Sequence, residues 1–160
     1  MIKIKTHTLI LLTSSILGLL GCAGNSPTSS LNKQFKQDKY PMRYFKDMSH
    51  TMGTQYTQGF AGKIGTSATE KVPIVKKDVY KLIKKTCEFT PNDRVQTRIV
   101  ENKPPYYYEV WIFKDAKSKR DDKKSALSVI LHELPNGGGV DISLKGQCHA
   151  TKGMTFTFAN

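Results

Sequence analysis

Few residues in this sequence have the types and spacing for covalent or acid–base chemistry. It holds three cysteines, Cys22, Cys87 and Cys148, four histidines and 13 acidic residues among 160. His132-Glu133 opens like the HExxH motif, in which two histidines one helical turn apart hold zinc and the glutamate acts as base. Asn136 occupies the place of the second histidine. No GxSxG presents a serine on a strained elbow. Gly62-Lys63-Ile64-Gly65-Thr66 has the residue types of a phosphate loop but not the GxxxxGK[ST] order. His50, His132 and His149 are scattered, and no spacing singles out a pair of carboxylates for acid–base work. The sequence therefore predicts a non-enzyme with no cofactor and no metal site.

Cys22 differs in its setting. It follows Leu19-Leu20-Gly21 at the end of the apolar run 9–20, with Lys3, Lys5 and His7 before the run. A basic start, a short apolar stretch and a small residue before a cut describe a secretory signal peptide. A 12-residue helix reaches about 18 Å, short of the roughly 30 Å hydrocarbon core, so the run is not a transmembrane span. The alternatives are a signal peptide without lipid or a buried apolar helix. Leu19-Leu20-Gly21-Cys22 resembles the lipobox of bacterial lipoproteins. The resemblance implies removal of residues 1–21, a diacylglyceryl thioether on Cys22 and acylation of the new amino terminus. Several acyl chains, at about 0.8 kcal/mol per buried methylene, make the membrane a lasting partner. Ala23 after the cysteine, rather than Asp, implies the outer membrane of a Gram-negative cell, with the domain facing the periplasm.

The segment Ala23 to Ser30 reads AGNSPTSS, and the polar residues to 38 continue it, which predicts a flexible linker over 22–38. About 16 such residues reach roughly 20–24 Å. A single globular domain over 39–160 follows. The formal charge of +12 loses Lys3 and Lys5 on processing, leaving +10. Such an excess suits lipopolysaccharide, peptidoglycan or phospholipid, or is a dispersed soluble surface; nucleic acid is not an expected partner.

Phe45, Met48, Met52 and Tyr56 recur at spacings of three and four, which predicts an amphipathic helix within 41–60. Residues 59–73 read as a loop or short edge strand. Val75, Val79, Leu82, Ile83 and Cys87 form one stripe of a second helix, with lysines outside. Beyond Pro91 the chain reads as strands near 95–101, 106–113, 126–134, 140–144 and 154–158, separated by turn residues and by the charged run 115–124, a solvated hairpin tip. The expected class is α+β: an antiparallel meander of four to five strands packed by one or two helices.

With Cys22 assigned to lipid, Cys87 and Cys148 remain as an even pair in an oxidising compartment. A disulfide between them is expected, the alternative being two buried thiols. Tyr106, Tyr107, Tyr108 and Trp111 are either a binding platform or a strand buried on one face and wet on the other. The order helix, Cys87, strands, Cys148 resembles in layout the α/β pilotin lipoproteins of type II secretion. That resemblance implies a hydrophobic groove that chaperones an outer-membrane secretin. The sequence thus predicts a non-catalytic accessory or assembly lipoprotein docking an envelope protein. A module for anionic envelope ligands is the first alternative and a secretin pilotin the second.

Overall fold

The computed structural model describes residues 26–50 and 53–158. The fold is α+β. Among the described residues, α1 (Ser29–Gln37) precedes a hairpin of β1 (Met42–His50) and β2 (Gly53–Phe60). Then come β3 (Lys63–Ile64), α2 (Pro73–Cys87), β4 (Arg94–Lys103), β5 (Tyr106–Lys114), β6 (Lys124–Glu133), β7 (Val140–Gly146) and β8 (Thr155–Phe158). The strands form two antiparallel sheets, ordered β3-β4-β5-β6-β7 and β1-β2-β8.

The meander over 94–146 is as expected, and β3 is the short edge strand beside it. β8 instead leaves the meander and pairs with β2, Tyr56 opposite Phe156. β5 and β6 are buried on both faces. On one face α2 lays Val79, Ile83 and Cys87 over Trp111, Phe113, Leu127 and Val129. On the other, Tyr108, Val110, Ile112 and Ala126 pack with Ala61 and Phe60. Burial on both faces explains why β5 reads Val110-Trp111-Ile112-Phe113 without apolar–polar alternation.

α2 forms where its stripe predicts. Pro73 sits in its first turn, Lys84 and Lys85 lie in its last, and Glu88 ends it in the left-handed conformation at φ 65°. Just before it, the turn 68–71 is tied to the sheet by Glu109. That buried carboxylate accepts from the Ala68 amide (2.6 Å) and from Trp111 Nε1 (2.7 Å).

Two expectations for the N-terminal half are overturned. The helix within 41–60 is the hairpin β1–β2. Thr54, Thr57 and Gly53 are poor helix formers, and Met42 and Tyr44, two residues apart, are both buried. Phe45 and Tyr56, on one stripe as helix, lie on opposite faces of the hairpin, 48% and 8% exposed. Of the other two stripe residues, Met52 lies outside the described residues.

The linker over 22–38 is likewise not all linker, because α1 occupies most of it. Thr28 is buried, and Phe35 packs against Tyr40 and Tyr44 at ring-centroid distances of 5.1 and 5.9 Å. Asn32 accepts from the Tyr44 amide (2.7 Å) and donates to the Tyr44 carbonyl (2.8 Å), so its side-chain amide stands in for a neighbouring strand at the edge of β1. Composition made this segment read as tether; the anchoring amide and ring are single residues, invisible to composition.

Candidate functional site

Cys22 lies outside the described residues. Cys87 and Cys148 are disulfide-bonded, with Cα atoms 4.9 Å apart, and join the end of α2 to the segment after β7. Gly146, at φ 123°, makes that exit possible: a Cβ there would stand 2.8 Å from the Ala126 carbonyl.

A polar cluster sits next to the disulfide. Asp115 is buried. Its carboxylate accepts from Ser125 Oγ (2.5 Å) and from the Lys117 amide (2.9 Å), and lies 3.1 Å from His149 Nδ1. Aspartate, histidine and serine are the residues of a hydrolytic triad, but the wiring differs. Ser125 Oγ donates to Asp115 rather than facing the imidazole, and it accepts from the Ala150 amide (2.7 Å). Both capacities of the hydroxyl are therefore used in holding the chain together. The run 115–124 is accordingly an anchored loop rather than a purely solvated tip, with Ser118 buried and donating to the Lys124 carbonyl (2.9 Å).

Burial pushes the Asp115 carboxyl up, but hydrogen bonds from Ser125, His149 and the Lys117 amide outweigh it and leave the group below its ordinary value of 3.8. A depressed folded value stabilises the protein above the unfolded carboxylate range, and the effect is lost as pH falls through the folded value. Urea midpoints at pH 7 and pH 3 should therefore differ more in the wild type than in Asp115→Asn, which should also be less stable at pH 7. Equal pH dependence in the two proteins would refute this role.

The four aromatic candidates do not share a surface. Trp111 is fully buried beneath α2, with the Arg94 guanidinium 4.5 Å from its ring centroid and the Tyr80 ring 5.1 Å away. Tyr108 is buried on the opposite face, where its hydroxyl donates to the Tyr40 carbonyl (2.8 Å). Tyr106 is exposed and stacks on His132, ring centroids 4.2 Å apart. Tyr107 lines a concavity on the α2 side, away from the one that Tyr108 lines with Lys36 and Lys39; the Tyr107 hydroxyl donates to Glu133 (2.9 Å), which raises the tyrosine's pKa. The strand is thus wet on neither face along its centre.

The concavity lined by Tyr107 is the candidate site. A cleft of about 480 Å³ lies between the turn 68–71, α2 and the ends of β5 and β6, lined by Ser67, Lys71, Val75, Tyr107, Leu131 and Val140. An adjoining groove of about 520 Å³ continues between α2 and β7, lined by Ile74, Asp78, Leu134, Val140 and Ile142. The two share Val72, Val75, Glu133 and Val140. Ile74 is 70% exposed and Val72 43% exposed, although both are apolar. In the turn 68–71, Glu70 accepts from Lys76 (2.5 Å) and Arg94 (2.6 Å) and is thereby held below the usual carboxylate range. The sequence implies a hydrophobic groove only through the pilotin resemblance and does not place it in the fold. The only signal of its place was that Val72 and Ile74 fall off the buried stripe of α2.

Among the described residues no group of three or more His, Cys, Asp or Glu is placed to hold a metal ion, and no helix is long and apolar enough to cross a membrane. Comparison with protein-family models, curated proteins and solved structures found no match for this chain.

Proposed function

We propose that this protein is an outer-membrane lipoprotein, held through lipid on Cys22, whose periplasm-facing domain is a non-catalytic accessory or assembly factor docking an envelope protein. The observation that carries the docking is the continuous apolar groove beside the sheet, floored by Val75, Val140 and Ile142 and edged by exposed Ile74 and Val72. Lipid anchoring rests on Leu19-Leu20-Gly21-Cys22 and the apolar run before it. A secretin pilotin would use a groove of this character. The module for anionic envelope ligands is the weaker reading, because its aromatic floor is divided between two faces of the sheet.

In this reading the domain rides close to the bilayer. Thr28 is buried, and Ser26, whose carbonyl accepts from the Ser29 amide (2.7 Å), is four positions beyond Cys22. Four residues span at most about 14 Å, less than the reach of a 16-residue coil.

Two measurements on the full chain in a Gram-negative host test the proposal. Labelled palmitate should enter the wild type and not Cys22→Ala; label retained by the variant removes the anchor. A photoreactive residue at position 74 should capture one envelope protein in a high-salt-resistant adduct, whereas one at exposed position 103 should not. Equal capture at both positions, or adducts with lipid alone, overturns docking through the groove.

A further inference from the structure

We propose that the outer edge of β7 accepts an extended segment of the docked partner as an added strand, and that this segment alternates apolar residues and is flanked by lysine or arginine. The inference rests on the docking function proposed above and specifies its partner.

The two sheets present four edges among the described residues, and three are blunted. β3 has only two residues and β8 only four. β1 is interrupted by a bulge between Lys46 and Met48, and the Asn32 side chain occupies its edge at Tyr44. Short length, bulges and covering groups are how sheets protect exposed edges from pairing. β7 has none of these three, and its charged residues Asp141 and Lys145 both stand on the face away from α2. It runs seven residues, contains no proline, and keeps an unbroken register with β6 from Glu133–Val140 to Leu127–Gly146.

The groove lies along this edge. Val140, Ile142 and Leu144 face the α2 side and are only partly buried, while Asp141, Ser143 and Lys145 are exposed on the other. A strand added beside β7 would place alternate side chains next to Ile142 and Ile74, and the remainder in water. Main-chain hydrogen bonds then supply affinity and the groove supplies selection, as in strand addition generally. The charge of the flanks follows from the lining. Asp78 and Glu133 line the part of the groove between α2 and β7 and no lysine or arginine does, Lys71 lining only the adjoining cleft, on a chain whose formal charge is +12. An acidic groove on a basic protein favours a cationic segment and disfavours an anionic one.

The test uses the mature full chain in detergent and a panel of peptides about as long as β7, alternating Val or Ile with Thr between lysine pairs. Hydrogen exchange of the β7 amides should slow when peptide is added. Methylating alternate peptide nitrogens should abolish that protection. Ile74→Lys should weaken binding by about tenfold or more, as should replacing the terminal lysines by glutamate. Protection of β7 by no member of the panel at millimolar concentration overturns strand addition. So does protection that is indifferent to N-methylation, or that maps to β3 or β8. A dimer that protects β7 without peptide, and is lost in Ile74→Lys, would make the occupant a second copy and overturn the partner assignment. Capture at position 74 without β7 protection would leave the docking function standing and remove only this inference.

Discussion

Cys148→Ser is expected to lower the unfolding free energy by about 4 kcal/mol. The bridge closes a separation of 61 residues, and the chain-entropy argument assigns about that much to a loop of this size. Cys87 is buried in the main core, so Cys148, which only packs against that cluster, is the better residue to replace. For a domain of this size the loss corresponds to a fall of about 10–20 °C in Tm. The check is denaturant unfolding of wild type and variant with and without reductant. The reduced wild type should match the variant, which itself should not respond to reductant. A variant within about 1 kcal/mol of the oxidised wild type would show that the bridge contributes little.

Trp111→Ala carries the second large effect. Its fully buried side chain fills the space between β5 and α2, and large-to-small changes at such aromatic sites cost about 3–5 kcal/mol. The variant also removes the donor from one oxygen of buried Glu109 and the ring beneath Arg94. Leaving a buried acceptor short of a partner costs a further 1–3 kcal/mol or about that. Trp111→Phe should recover the packing and retain only the second loss. Tyr106→Ala, an exposed position on the same strand, should stay within about 0.5 kcal/mol. Thermal melts of the three variants decide the matter. A near-neutral Trp111→Ala would mean that the residue serves a surface and not the core.

The parts legible in the sequence were those where one period dominates. The stripe Val75, Val79, Leu82, Ile83 has no competing pattern, and α2 forms there. The strands of the meander are long, apolar and bounded by turn residues, so their number and order could be read. The hairpin 42–60 was misread because spacings of three and four coexist there with poor helix formers, and packing of Tyr44 and Tyr56 against Phe156 and Phe158 decides for strands. Those partners lie about a hundred residues downstream, beyond any window of local pattern. The cysteine pair was legible because setting Cys22 aside as the expected lipid site leaves two of the three cysteines. The groove was not, because it is made by two elements far apart in the sequence. Val72 and Ile74 reveal themselves only once β7 stands opposite with Val140 and Ile142.

The disulfide also changes the covalent topology of the molecule. Cys87 to Cys148 form a closed ring that contains β4, β5, β6 and β7. A single cut by a protease anywhere in that ring, including the exposed glycine turn at 137–139 or the lysine-rich loop at 117–124, opens the ring without dividing the molecule. Both fragments stay joined through sulfur, and the nicked chain keeps its full mass until it is reduced. Damage to the lysine-rich loop therefore does not by itself release β6 and β7, or the groove they help to form, from the part of the chain that leads back to residue 22.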